Sequence, residues 1–127
     1  MKSRPVKPVH IPAMLLVMLL SLFAFNVSAV NMMFLSKESP AAKFSDADWQ
    51  YLNQAIKHTL TTVEDGASYD WKNPASPAFG SLEVLESSTR DGTPCRWMRM
   101  TNFYGEAKGV VEFLFCKQPD GQWKVAE

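Results

Sequence analysis

The chain has 127 residues, enough for one domain and its terminal extensions. Apolar residues make up 46% and charged residues 20%, which fits a globular protein and excludes an intrinsically disordered one. Thirteen lysines and arginines balance thirteen acids, so there is no basic excess for strong electrostatic binding of nucleic acid. Two cysteines and two histidines are thin for a structural zinc site.

Residues 1–29 have the order of a secretory signal peptide. Lys2, Arg4 and Lys7 make a basic start. An apolar run from Ile11 to Phe25 follows, and Asn26-Val27-Ser28-Ala29 supplies small or slender residues for cleavage after Ala29. The run is about 15 residues, short of the roughly 20 needed to span a bilayer. The competing reading is an uncleaved N-terminal anchor, lengthened by Met32, Met33, Phe34 and Leu35. The only cysteines are Cys95 and Cys116, so a lipoprotein acylated just after the leader is not expected. Cleavage after Ala29 leaves 98 of the 127 residues, with 10 basic and 13 acidic side chains, a net charge of −3. Attraction to anionic lipid, and direct membrane insertion after cleavage, are then not expected.

Residues 30–43 show no sustained period and contain Pro40; they read as a flexible tether. The domain is expected over 44–127. Ser45 is a good N-cap with Asp48 in the capping-box position, and Phe44 and Trp49 are placed for a hydrophobic staple. Asp46 and Asp48 also suit the positive end of the helix dipole. Trp49, Leu52, Ile56, Leu60 and Val63 form one stripe at helical spacing. The spacing predicts a helix over about 46–63, stopped by Asp65-Gly66. Residues 66–80 carry many turn signals, including Asn73-Pro74 and Ser76-Pro77, and also Tyr69, Trp71 and Phe79. They read as an aromatic loop folded down on the domain.

Four strands are expected after that, over about 79–88, 95–104, 107–117 and 122–126. If Gly105-Glu106 is a two-residue type II′ loop, the numbers of facing residues sum to 211. Met98 then faces Phe113, Met100 faces Val111, Trp97 faces Leu114 and Arg99 faces Glu112, as cross-strand pairing prefers. Cys95 falls opposite Cys116, in the closer, non-hydrogen-bonded kind of pair. A three-residue Pro119-Asp120-Gly121 loop, with Gly121 left-handed, brings Trp123 and Val125 onto the face of Phe113 and Phe115. That builds one apolar face from Met98, Met100, Val111, Phe113, Phe115, Trp123 and Val125 for the helix to cover. The aromatic loop would cover Trp97 and Leu114 on the other face.

Few residues offer chemistry. In an exported chain Cys95 and Cys116 read as a structural disulfide closing a loop of about 20 residues, worth on the order of 3 kcal/mol. No Cys-x-x-Cys spacing supports a redox role. His58 points away from the helix stripe and reads as an exposed polar residue. Glu64, Asp65 and Asp70 flank a turn without calcium-loop spacing. Arg96 could bind a ligand or make a structural contact, with the second favoured. Glycine-rich phosphate loops and serine or zinc hydrolase motifs are absent from the sequence. No catalytic residue, cofactor or metal is expected, and no enzyme.

Asp70-Trp71-Lys72-Asn73-Pro74, then Gly80, Cys95-Arg96, Cys116 and Asp120-Gly121-Gln122-Trp123 resemble the C-terminal domain of the 17 kDa surface antigen family, which includes rickettsial outer-membrane antigens. The resemblance runs over about Phe44 to Val125. It implies an envelope protein without catalytic residues to carry over. The rickettsial-type members are lipoproteins with a glycine-rich segment before this domain. Neither the lipid-bearing cysteine nor the glycine repeat is present here, so outer-membrane anchoring does not transfer.

The sequence therefore predicts an α+β domain: one N-terminal helix packed on a four-stranded antiparallel meander, with a cross-strand disulfide. It predicts an exported module of periplasm or envelope that acts by binding or structure. The alternative is a periplasmic adaptor or inhibitor holding a partner protein at the open sheet edge of residues 122–126, unless Lys124 guards that edge.

Overall fold

The computed structural model describes residues 38–127. The expected leader and the tether up to residue 37 lie outside the described residues. Residues 40–43, read from sequence as the end of the tether, are instead part of the fold. Pro40–Lys43 form a one-turn 3-10 helix capped by Ser39, and Ser39, Pro40 and Ala41 are buried. Proline at the start fixes φ for the turn, and its missing N–H costs nothing there.

Helix α1 spans Asp46–Thr62. Ser45 caps it: its hydroxyl accepts from the Asp48 N–H at 3.2 Å, and the Asp48 carboxylate accepts from the Ser45 N–H at 2.9 Å. The Phe44 and Trp49 rings meet edge to face at 5.5 Å, completing the staple. The helix is rolled relative to its apolar stripe. Asp48, Leu52, Ala55, Thr59 and Leu60 are buried, while Trp49 and Ile56 are only half-buried. Two polar residues tolerate that roll because each is satisfied: the Thr59 hydroxyl donates to the Ala55 carbonyl at 2.7 Å, and the Asp48 carboxylate accepts from the Ser45 N–H and the Asn73 amide.

Five antiparallel strands follow in sheet order: β1 Ser68–Lys72, β2 Ala78–Arg90, β3 Thr93–Tyr104, β4 Ala107–Lys117 and β5 Trp123–Val125. The α+β class stands, but the meander has one strand more than the four expected. The segment expected as an aromatic loop is β1, pairing Trp71 with Gly80 and Tyr69 with Leu82. Its aromatics therefore share the inner face with α1 instead of covering the outer one. Ser-Tyr-Asp-Trp-Lys does alternate with period two, but five residues between strong turn signals carry little pattern.

The β3–β4 register is the one derived from the turn, from Cys95 opposite Cys116 to Tyr104 opposite Ala107. Gly105 has φ of +59° and Glu106 is not left-handed, as a type II′ loop requires. The β4–β5 register follows the three-residue loop, with the Gln118 N–H donating to the Gln122 carbonyl at 2.7 Å and Gly121 at φ of +84°. A bulge between Val84 and Glu86 re-phases β2, so that Ser87 faces Arg96.

The main core lies between α1 and the inner sheet face: Leu52, Ala55 and Leu60 against Trp71, Ala78, Leu82, Met98, Met100, Val111 and Phe115. Val125, expected in that face, is 54% exposed. A second small cluster of Cys95, Leu114, Cys116 and Trp97 forms on the outer face. Leu114 packs there with Cys95, Cys116 and Trp97, and the segment expected to cover it lies in the sheet as β1.

Candidate functional site

The residues singled out in the sequence divide into those that build the fold and those beside an open furrow. Asn73 is buried at the β1–β2 turn. Its side-chain amide donates to Asp48 Oδ1 at 2.7 Å, and its side-chain oxygen accepts from the Ala75 N–H at 3.0 Å. The motif thus ties that turn, with Pro74 in it, to the first turn of α1. Gly80 makes room for the Trp71 indole: a Cβ there would lie 2.7 Å from Trp71 Nε1 and would collide with the Thr101 carbonyl. Trp71 Nε1 donates to Asn102 Oδ1 at 3.3 Å.

Cys95 and Arg96 serve opposite faces of the sheet. Cys95 bonds to Cys116 on the outer face, with Cα atoms 4.1 Å apart. Arg96, one residue on, points inward to the end of α1. Its guanidinium donates to the carbonyls of Thr59 (3.2 Å), Leu60 (2.9 Å) and Val63, and to Asp65 and Ser87. The Thr59 carbonyl also takes the Val63 N–H, whereas Leu60 and Val63 present carbonyls that the helix end leaves without intrahelical partners, and a cation is favoured there. Of the two roles left open for Arg96, the geometry takes the structural one. The cue was its parity: Arg96 alternates with Met98 and Met100, so it must face the helix.

The acids settle likewise. Burial pushes the Asp48 carboxyl up, but hydrogen bonds from the Ser45 N–H, the Asn73 amide and the Ser76 and Ser45 hydroxyls outweigh it and hold it below the ordinary value. Asp65 is also held low, by the Ser87 hydroxyl and then by Arg96. Arg99 pairs with Glu112 at 2.9 Å, as register arithmetic predicts, and also with Glu83 at 3.0 Å. Glu112 and Glu83 in turn raise the Arg99 pKa. His58 is exposed, with its ring over Tyr69 at 4.4 Å between centroids. Asp46, Glu64 and Asp70 are exposed. Among the described residues, no group of three or more His, Cys, Asp or Glu could hold a metal ion.

The open feature is a furrow of about 480 Å³ between α1 and the β4–β5 hairpin. Ile56 and Leu60 from the helix and Phe115 and Trp123 from the sheet give it an apolar floor. Asn53, Lys57, Thr61, Asp120 and Gln122 give it a polar rim. The Asp120 carboxylate accepts from the Gln122 N–H at 2.9 Å, fixing the rim's turn. Trp123, expected in the apolar face under the helix, is half-buried and is also a furrow wall. The rim residues of α1 carried no sequence signal, because polar residues beside an apolar stripe look like any solvated helix flank.

On the outer face Phe79 and Phe103 stack at 4.7 Å, with Lys108 5.8 Å from the Phe103 ring centre. A shallow hollow of about 430 Å³ lies beside them, bordered by Asp70, Lys72 and Ser81. Among the described residues no helix is long and apolar enough to cross a membrane.

Comparison with known proteins gives one consistent answer. The chain is distantly similar to the rickettsial 17 kDa surface antigens. The 17 kDa surface antigen of Rickettsia bellii is 26% identical over 85 residues, covering 66% of this chain and 54% of the relative. That of Rickettsia japonica is 28% identical over 87 residues, with the same coverage. That of Rickettsia conorii is 31% identical over 72 residues, covering 54% of this chain and 44% of the relative. The chain thus spans about half the length of the curated relatives it matches. No family model and no solved structure matches it. The similarity to 17 kDa surface antigens agrees with the resemblance carried by the Trp71-to-Trp123 motif. In this fold the motif residues form turns, a disulfide, a helix clamp and core.

Proposed function

We propose that the chain is an exported cell-envelope protein that works as a binding or structural module and catalyses no reaction. The observation that carries this reading is the Cys95–Cys116 bond, a residue usage that belongs to oxidising compartments. The basic, apolar and small-residue order of residues 1–29 and the similarity to proteins named as surface antigens support the same address. The absence of catalysis is supported by occupation. Asp48, Asp65, Arg96 and Arg99, the charged groups best placed for chemistry, are each engaged in holding the fold.

Intact mass of the untagged protein, from periplasmic and membrane fractions with and without reductant, tests the address. The expected species lacks residues 1–29 and is two hydrogens lighter before reduction. A cytoplasmic species with its leader and two thiols would overturn the reading; a membrane species of full length would make it an anchored envelope protein. Turnover of a small substrate, abolished by one side-chain change, would overturn the absence of catalysis.

A second reading, a partner-binding adaptor, has its own observation. Strand β5 lies at the sheet edge. Gln122 and Ala126 bond inward to β4, so by alternation Trp123 and Val125 turn their N–H and C=O groups outward, where a partner strand could pair. Photo-cross-linking in cells from positions 122–126 tests it; capture of no protein would count against it.

A further inference from the structure

We propose that the furrow between α1 and the β4–β5 hairpin is a binding site for a short stretch of uncharged saccharide chain, held on Trp123 between two rims of hydrogen-bonding side chains. The proposal deepens the binding reading given above and rests on it. The envelope address is tested separately by intact mass, so either can fail without the other.

The first support is how little apolar surface the furrow offers. Leu60 is 2% exposed and Phe115 6%, so both are nearly closed off. Ile56 and Trp123, both half-buried, supply the floor that a ligand would touch. A docked amphipathic helix needs a row of apolar anchors, and an acyl chain gains only from apolar surface. One indole and one isoleucine between polar rims fit a ligand with a small apolar face and a polar edge all round. A sugar ring is such a ligand. Its C–H groups form an apolar face that packs on the electron-rich face of an aromatic ring, and its hydroxyls lie around the edge.

The second is charge. Among the described residues that line the furrow, Lys57 is the one cation and Asp120 the one anion. Neither is in an ion pair with another described residue. An anion such as phosphate would meet Asp120, and a cation would meet Lys57. Hydroxyl groups satisfy both, donating to the carboxylate and accepting from the ammonium.

The third is that the hydrogen-bonding groups are placed and unspent. Asn53, Lys57 and Thr61 follow at intervals of four on α1, so they form one row along the furrow. On the opposite rim the turn is fixed. The Gln118 N–H donates to the Gln122 carbonyl at 2.7 Å, and the Gly121 N–H donates to the Gln118 carbonyl at 2.8 Å. Asp120 spends one carboxylate oxygen on the Gln122 N–H and keeps the other. The side-chain amides of Asn53 and Gln122 have no partner among the described residues. Each offers a donor beside an acceptor, the pair that neighbouring hydroxyls of a sugar engage together. A rim fixed in advance loses little freedom on binding. The volume of about 480 Å³ lies within the roughly 300–1,000 Å³ usual for ligand sites.

NMR titration of the isotope-labelled protein, isolated as the cell accumulates it with its disulfide intact, tests this. The probes are maltotetraose, chitotetraose and inorganic phosphate, each at millimolar concentration. The expected result is saturable shifts with at least one of the two saccharides and none with phosphate. They should centre on the Trp123 indole N–H, the Asn53 and Gln122 side-chain amides and the backbone of Thr61 and Gly121. Trp123→Ala should weaken binding about tenfold. Asn53→Ala, at an exposed helix position where the fold has no need of the amide, should weaken it about threefold. Lys108→Ala, on the outer face, should leave it unchanged. Four results each overturn the proposal: no shifts at the furrow with either saccharide, equal shifts around Phe79 and Phe103 on the outer face, phosphate binding in the furrow, or saccharide binding that Asn53→Ala and Trp123→Ala both leave unchanged. Failure with the saccharides beside an intact mass that shows an exported, disulfide-bonded protein would strike this site and leave the envelope reading standing.

Discussion

Trp71 and Trp123 project from opposite sides of the same sheet face and have different fates. Trp71, on β1, is 5% exposed, with Phe44 against its ring and Asn102 taking its N–H. Trp123, on β5, is half-buried beside a furrow. The cause is how α1 is pinned. Its N-terminus is held by Asn73 at the β1–β2 turn, and its C-terminus by Arg96 on β3 with Ser87 on β2 nearby. Both ties lie toward the β1–β3 side, so the helix closes that half and, among the described residues, leaves a furrow between itself and the β4–β5 hairpin. The polar residues of the motif place the helix, and the apolar residues fill what that placement encloses.

The largest test of this asymmetry is Trp71→Ala. Removing a well-enclosed indole should cost about 3–5 kcal/mol, read as a lowered urea midpoint. A loss under about 1 kcal/mol would show that the β1 side is not the closed one. Next comes the boundary between the halves. Replacing Cys95 and Cys116 together by Ala should cost about 3 kcal/mol by the chain-entropy argument, because it frees a loop of about 20 residues. Cys95 is fully buried and Cys116 is 8% exposed, so reductant should act on the native protein only slowly. Rapid reduction without denaturant would contradict the packing of Leu114 and Trp97 around the bond.

Much of this fold was legible before any coordinates. The helix limits, its cap, the central hairpin register and the disulfide all follow from local rules with few alternatives, because a glycine turn of fixed length leaves one register that pairs apolar with apolar. What was not legible is instructive. Strand β1 is too short to announce itself and is recruited by β2, a tertiary effect. The roll of α1 depends on Asn73 reaching Asp48 across 25 residues. The furrow is the consequence of that roll, so no stretch of sequence contains it. Arg96 is an intermediate case: its parity with Met98 and Met100 is a signal in the sequence that it faces the helix, but which carbonyls it meets there depends on where α1 ends.

The N-terminal tie can be tested by pH. Asp48 is held below the ordinary carboxylate value of 3.8, so its stabilisation is full above about pH 4 and is lost as pH falls through the lower folded value. Asp48→Asn should cost about 1–2 kcal/mol at pH 7, since its single amide oxygen can accept from the Ser45 N–H or from the Asn73 amide but not from both. The gap to the native protein should narrow as the pH is taken toward 2 in a series of urea titrations. A gap independent of pH would mean that the carboxylate is not the group that fastens the helix.

The smallest effects lie on the open side, and there the comparison can fail most informatively. Trp123→Ala should cost about 1–2 kcal/mol, less than Trp71→Ala, because part of the indole is already in water. A loss as large as that of Trp71→Ala would mean that the indole is enclosed on the β5 side as well, and the two tryptophans would then differ far less in their packing than in their exposure.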